Sequence, residues 1–82
     1  MTPRTKEHRP LWEIAAEIET DWDNVSIHAR AYLDPMHTLN KITDDFWLDS
    51  GKSVVLYFLS NAQSWKGETA RRIKKELNDM AR

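Results

Sequence analysis

Apolar residues recur along this chain at intervals of three and four, the spacing that gathers side chains on one face of an α-helix. Leu11, Ile14, Ala15, Ile18 and Trp22 make one such stripe, with Glu13, Glu17 and Thr20 pointing away from it. Ala70, Ile73, Leu77 and Met80 make another near the opposite end. Between them, Ala29, Tyr32, Leu33, Met36 and Leu39 face inward from a second helix, and Ser53 to Leu59 continues at helical spacing through Ala62 and Trp65. Only the run from Ser53 to Leu59 has the composition of a buried strand. No second run exists to pair with it, and a lone strand is not stable. The expected fold is therefore all-α, a small bundle of three to four helices with a packed connection before the third helix.

The boundaries follow from local chemistry. Residues 1–9 lack apolar periodicity and read as a flexible N-terminal tail, followed by a single helical domain over 10–82 that opens on Pro10, a residue suited to a first helical turn. Asp21, Asp23 and Asn24 offer side-chain oxygens to cap a second helix near Val25. Pro35 removes a helical hydrogen bond and crowds the carbonyl four residues back, so a kink is expected there, or a break with Asp34 capping a short new helix. The stretch from Asn40 to Ser50 mixes turn formers with Ile42, Phe46, Trp47 and Leu48, too many large apolar groups for a solvated loop, and is expected to lie over the core. Asp49 or Ser50 can cap the third helix, in whose first turn Gly51 costs little. Gly67 marks a bend before the last helix, with Ser64 as a possible cap.

An 82-residue chain builds one core, and at this size stability is marginal unless the helices pack well or a partner contributes. With 40% apolar residues, two glycines and three prolines, it is too hydrophobic for disorder and too poor in turn residues for a many-stranded fold. The absence of cysteine excludes a disulfide framework and a thiolate metal site. No apolar segment resembles a signal peptide or membrane span, so a reducing cytoplasm is the expected setting and no membrane partner is expected. The net charge of −1 hides a split: residues 11–50 carry a net of −7, and residues 51–82 a net of +4. Such asymmetry serves head-to-tail association, an anionic partner, or attraction between the halves of one fold.

No catalytic or metal constellation is legible. His8, His28 and His37 have no ligand spacing, and Asp44, Asp45 and Asp49 lack the alternation, glycine and closing glutamate of a calcium loop, so they read as caps. Ser50-Gly51-Lys52-Ser53 has neither the leading glycine nor the order of a phosphate-binding loop. The chain is expected to be neither an enzyme nor a cofactor binder. Two surfaces remain. Val54 to Leu59 is apolar all round, so the third helix is either central or covered by another subunit, which makes Val55, Leu56 and Tyr57 candidate protein-binding residues together with Trp12, a quarter turn off its stripe, and Trp47 in the connection. Arg71, Arg72, Lys74 and Lys75 form a basic stretch on the last helix that could meet phosphates, although Glu68 and Asp79 lie at pairing distance in sequence and the acidic middle of the chain would repel nucleic acid.

Taken in order, IAAEIE from Ile14 with the following DW, AYLD from Ala31, DSG from Asp49 with SVV and YFLSNA, and WKGETARRIK from Trp65 resemble small uncharacterised proteins encoded by actinobacterial phages and their hosts. The resemblance covers about residues 11 to 80, with DSG and WKGETARR as its most particular blocks. It implies a phage or prophage accessory protein working inside a bacterial cell, and it implies no mechanism. The function expected is a non-catalytic protein–protein interaction module that binds itself, for instance as a homodimer, or a host protein. The alternative is a small nucleic-acid-binding or regulatory protein using the basic last helix.

Overall fold

A computed structural model describes residues 8–82. Four helices make up most of it: α1 (Leu11–Asp21), α2 (Ile27–Met36), α3 (Gly51–Ser60) and α4 (Glu68–Ala81). Each packs on its neighbours in chain order, and α4 closes back on α1. The amphipathic stripes meet at the centre, where Leu11, Ile14, Ile18, Leu33, Met36, Val54, Phe58, Ile73 and Leu77 are all buried. The small all-α bundle expected from periodicity is thus the fold observed.

An aromatic cluster holds one end of the core. Trp22 stacks on Trp65 with centroids 5.5 Å apart and planes 9° from parallel, while Phe58 meets both edge-on at 6.3 and 6.4 Å. Offset and edge contacts of this kind add to the stabilisation from burial alone. The buried Trp65 indole donates to Asp21 Oδ2 at 2.9 Å, so its polar edge is satisfied. Asp21 is therefore engaged with Trp65 and does not cap α2. The cap is Ser26, whose hydroxyl accepts from the Ala29 amide at 3.2 Å, and α2 begins at Ile27, two residues later than the acidic run suggested.

Two further expectations give way to the geometry. Pro35 neither breaks α2 nor starts a new helix. It lies in the last turn, and the chain leaves through tight turns in which His37, Thr38 and Leu39 donate to Asp34, Pro35 and Met36 at 3.1, 2.9 and 3.2 Å. Of the tail expected over residues 1–9, positions 1–7 lie outside the described residues. Arg9 is anchored: its guanidinium donates to both carboxylate oxygens of Glu76 at 2.9 and 2.8 Å and reaches Glu17 at 3.0 Å, which ties the approach to α1 onto α4.

The connection between α2 and α3 is packed, as its composition implies, but only in part. Ile42 and Phe46 rest against the core. Beyond them the chain forms a hairpin that helical periodicity gave no sign of, β1 (Asp45–Phe46) antiparallel to β2 (Asp49–Ser50) with Phe46 opposite Asp49. Asp44 organises its base, accepting from the amides of Asn40 and Lys41 at 3.1 and 3.0 Å. Those two N–H groups hold the Asp44 carboxyl below the ordinary range, Lys41 contributing most. The carbonyls of Asn40 and Leu39 accept from the Leu11 and Trp12 amides at 2.9 Å each, so the loop supplies the cap for α1 that Pro10 has no side chain to give.

Gly51 is where this loop meets α3. Its amide donates to the Asp44 carbonyl at 2.6 Å, and a Cβ at this position would lie 2.8 Å from both the Lys41 and Ile42 carbonyl oxygens. The glycine is a requirement of close backbone approach and not merely an inexpensive first-turn residue. Gly51→Ala is expected to lower stability by about 1–3 kcal/mol, the range for overpacking a tight site. Urea unfolding against wild type measures it, and an unchanged midpoint would show that the loop yields freely.

Candidate protein interface

The hairpin exposes what the core would be expected to take. Trp47 is 87% exposed, and Leu48 beside it has no shielding at all. They are the two central residues of the tight turn between β1 and β2. Trp47 has φ of +57°, the sole non-glycine residue in the left-handed region among those described. Primed hairpin turns ordinarily place Gly, Asn or Asp there, because a Cβ in this conformation crowds the backbone at a cost of roughly 1–2 kcal/mol. A bulky aromatic held at a strained position, pointing into solvent, contributes nothing visible to folding. Asp45 and Asp49 flank it, both exposed.

The other candidates separate clearly. Val55 is buried in the core and is removed from the binding set, because α3 turns it into the central cluster and away from solvent. Leu56 and Tyr57 are on the outer side of α3, the Tyr57 ring set against that of Tyr32 at 5.3 Å. Trp12 is half exposed, its indole donating to Asn40 Oδ1 at 2.9 Å, which fixes it against the base of the hairpin loop. The structure thus brings Trp12 to the loop that carries Trp47. Leu48 and Ile27 are exposed apolar residues that periodicity did not single out. Leu48 escaped because the turn lacks the Asn-Gly or Asp-Gly signature of a hairpin.

The basic stretch of α4 is mostly engaged. Arg72 pairs with Glu17 of α1, and this guanidinium, with that of Arg9, holds the Glu17 carboxyl below its ordinary range. Lys75 pairs with Asp79 at 3.2 Å. The Lys74 ammonium donates to the Trp65 carbonyl at 2.7 Å and lies over the indole at 5.9 Å; burial lowers its pKa, with Lys66 adding to the effect. Of these four cations Arg71 and Lys74 have no ion-pair partner among the described residues, and Lys74 is held by the Trp65 carbonyl, which leaves Arg71 as the one without a polar contact there. His37 contacts Glu19, which also takes the guanidinium of Arg30; that pairing, Arg30 foremost, holds the Glu19 carboxyl low. These residues make up an ion-pair cluster on the bundle surface. Among the described residues, no group of three or more His, Cys, Asp or Glu is placed to hold a metal ion, and no helix is long and apolar enough to cross a membrane.

Comparison with protein-family models, curated proteins and solved structures found no match to this chain. Trp47→Gly relieves the left-handed strain while giving the unfolded chain more freedom, two effects of similar size. It is expected to leave the urea midpoint unchanged or to raise stability by up to about 1 kcal/mol. A loss larger than that would mean the indole supports the fold, and would remove it as a binding element.

Proposed function

We propose that this protein is a non-catalytic interaction module, a phage or prophage accessory protein acting in a bacterial cytoplasm, that binds a protein partner through the Trp47–Leu48 hairpin tip. The observation that carries this reading is the exposure of two large apolar side chains at the end of a hairpin whose backbone is strained to present one of them. Folding alone favours burying an indole or replacing it at such a turn. Binding gives it a use, since buried aromatics dominate the energetics of protein interfaces. Trp12, fixed at the hairpin base, extends the same surface, and Leu56 and Tyr57 offer a second apolar area on α3.

The nucleic-acid reading of Arg71, Arg72, Lys74 and Lys75 has weaker support. Phosphate contacts need cations free to neutralise them, and three of the four already serve the fold. Nor does a carboxylate-flanked tip suit a polyanion.

Site-specific photo-crosslinking in bacterial cells distinguishes the two readings. A benzophenone amino acid at Leu48 is expected to trap protein adducts, and the same probe at Asn78, exposed on α4, is expected to trap none. Equal labelling from both positions, or adducts to nucleic acid in place of protein, would reject the interaction module as drawn.

A further inference from the structure

The hairpin tip is acidic, and the opposite end of α3 offers its complement. Where the chain turns from α3 into α4, a shallow groove of about 250 Å³ is lined by Trp65, Lys66, Gly67, Ala70, Arg71 and Lys74, with Gln63 beside them. Three cations border it, and no carboxylate lines it. Its volume falls below the roughly 300–1,000 Å³ of most small-molecule clefts, yet it can take one large side chain. Gly67 is part of its lining and turns the chain there, with φ of +115° and ψ of −178°, a conformation that glycine alone adopts readily. Lys66 and Arg71 are exposed and have no ion-pair partner among the described residues; the same holds for Asp45 and Asp49 at the tip.

We infer that the hairpin tip of one copy seats in the α3–α4 groove of a second copy, Trp47 entering over Gly67 and Ala70 while Asp45 and Asp49 meet Lys66 and Arg71. This rests on the tip being a protein-binding element and specifies its partner as the same chain. Each surface supplies what the other lacks. A lone aromatic gains a pocket, two unpaired carboxylates gain cations, and the charges flank the apolar contact in the order that fixes register and speeds encounter. The two surfaces also lie at opposite ends of α3, whose ten residues span roughly 15 Å, since the hairpin leads directly into Gly51 and the groove begins just after Ser60. A copy can then give its tip and accept another at once. Contacts of this kind join different surfaces head to tail and extend until a ring closes or a free end remains.

Complementation between two variants tests it. One is Trp47→Ala with Leu48→Ala, which lacks the tip; the other is Lys66→Glu with Arg71→Glu, which reverses the groove. All four positions are exposed, so both variants are expected to keep the wild-type helical circular dichroism. In sedimentation velocity at low salt, the wild type is expected to grow in mass progressively with concentration, and high salt to weaken that growth by about tenfold or more. Each variant alone stays monomeric. An equimolar mixture forms a dimer and nothing larger, because one variant retains only the groove and the other only the tip. A wild type that stays monomeric to millimolar concentration overturns self-docking and leaves the cross-linking at Leu48 to decide the broader reading. Association that survives groove reversal but not loss of the tip also overturns it, while keeping the tip as a binding element whose seat lies elsewhere.

Discussion

Four consecutive backbone carbonyls, those of Leu39 to Ile42, are the constraint on which the rest of this small fold depends. The first two accept the opening amides of α1, and the next two press so closely on the start of α3 that only glycine fits there. A buried amide left without a partner costs about 1–3 kcal/mol, so the loop stabilises α1 in the way a capping side chain would. The end of α2 leads directly into this loop. Three helices therefore converge on one short piece of chain, whose geometry is set by the Asp44 carboxylate bridging two of its amides.

The remaining contacts close the frame from other directions. Trp22, Phe58 and Trp65 join the end of α1 to α3 and to the approach of α4, and Lys74 holds the Trp65 carbonyl from α4. Arg9 and Arg72 share Glu17, with Glu76 taking the other side of Arg9, so α1 and α4 are tied across their exposed seam. Partly exposed ion pairs of this kind contribute little individually, but they define how two helices sit on each other. The consequence for function is mechanical. A hairpin mounted on a loop bound to α1 and α3 can present a strained tip with little freedom to fold it away.

The core was legible because periodicity alone specifies it: the stripes through Ile14, Ile18, Leu33, Phe58, Ile73 and Leu77 are buried as their spacing requires. Val55 shows the limit of that reasoning, since a run apolar on every side does not say which residues face out. Capping residues were less legible, because Asp21, Asp23 and Asn24 carry suitable oxygens, yet the cap is Ser26 beyond them, and Asp21 takes the Trp65 indole, 44 residues away. For the basic face of α4 the sequence offers partners only within the same helix, Glu68 and Asp79; Lys75 does take Asp79, but the partner of Arg72, Glu17, comes from α1. The hairpin was the least legible element. Nothing in Phe46-Trp47-Leu48-Asp49 resembles a turn, and the strain at Trp47 is a property of the folded chain only.

The connection between α2 and α3, held by α1 and α3 at three amides, is a rigid mount for the hairpin tip. Amide hydrogen exchange at Leu11, Trp12 and Gly51 measures it most directly, because these three N–H groups donate to the loop's own carbonyls. They are expected to exchange only through openings close in free energy to global unfolding, as amides of a cooperative core do. Exchange at the rate of a solvated loop, while the amides of Ile18 and Ile73 stay protected, would contradict it and leave Trp47 on a segment that the fold does not hold.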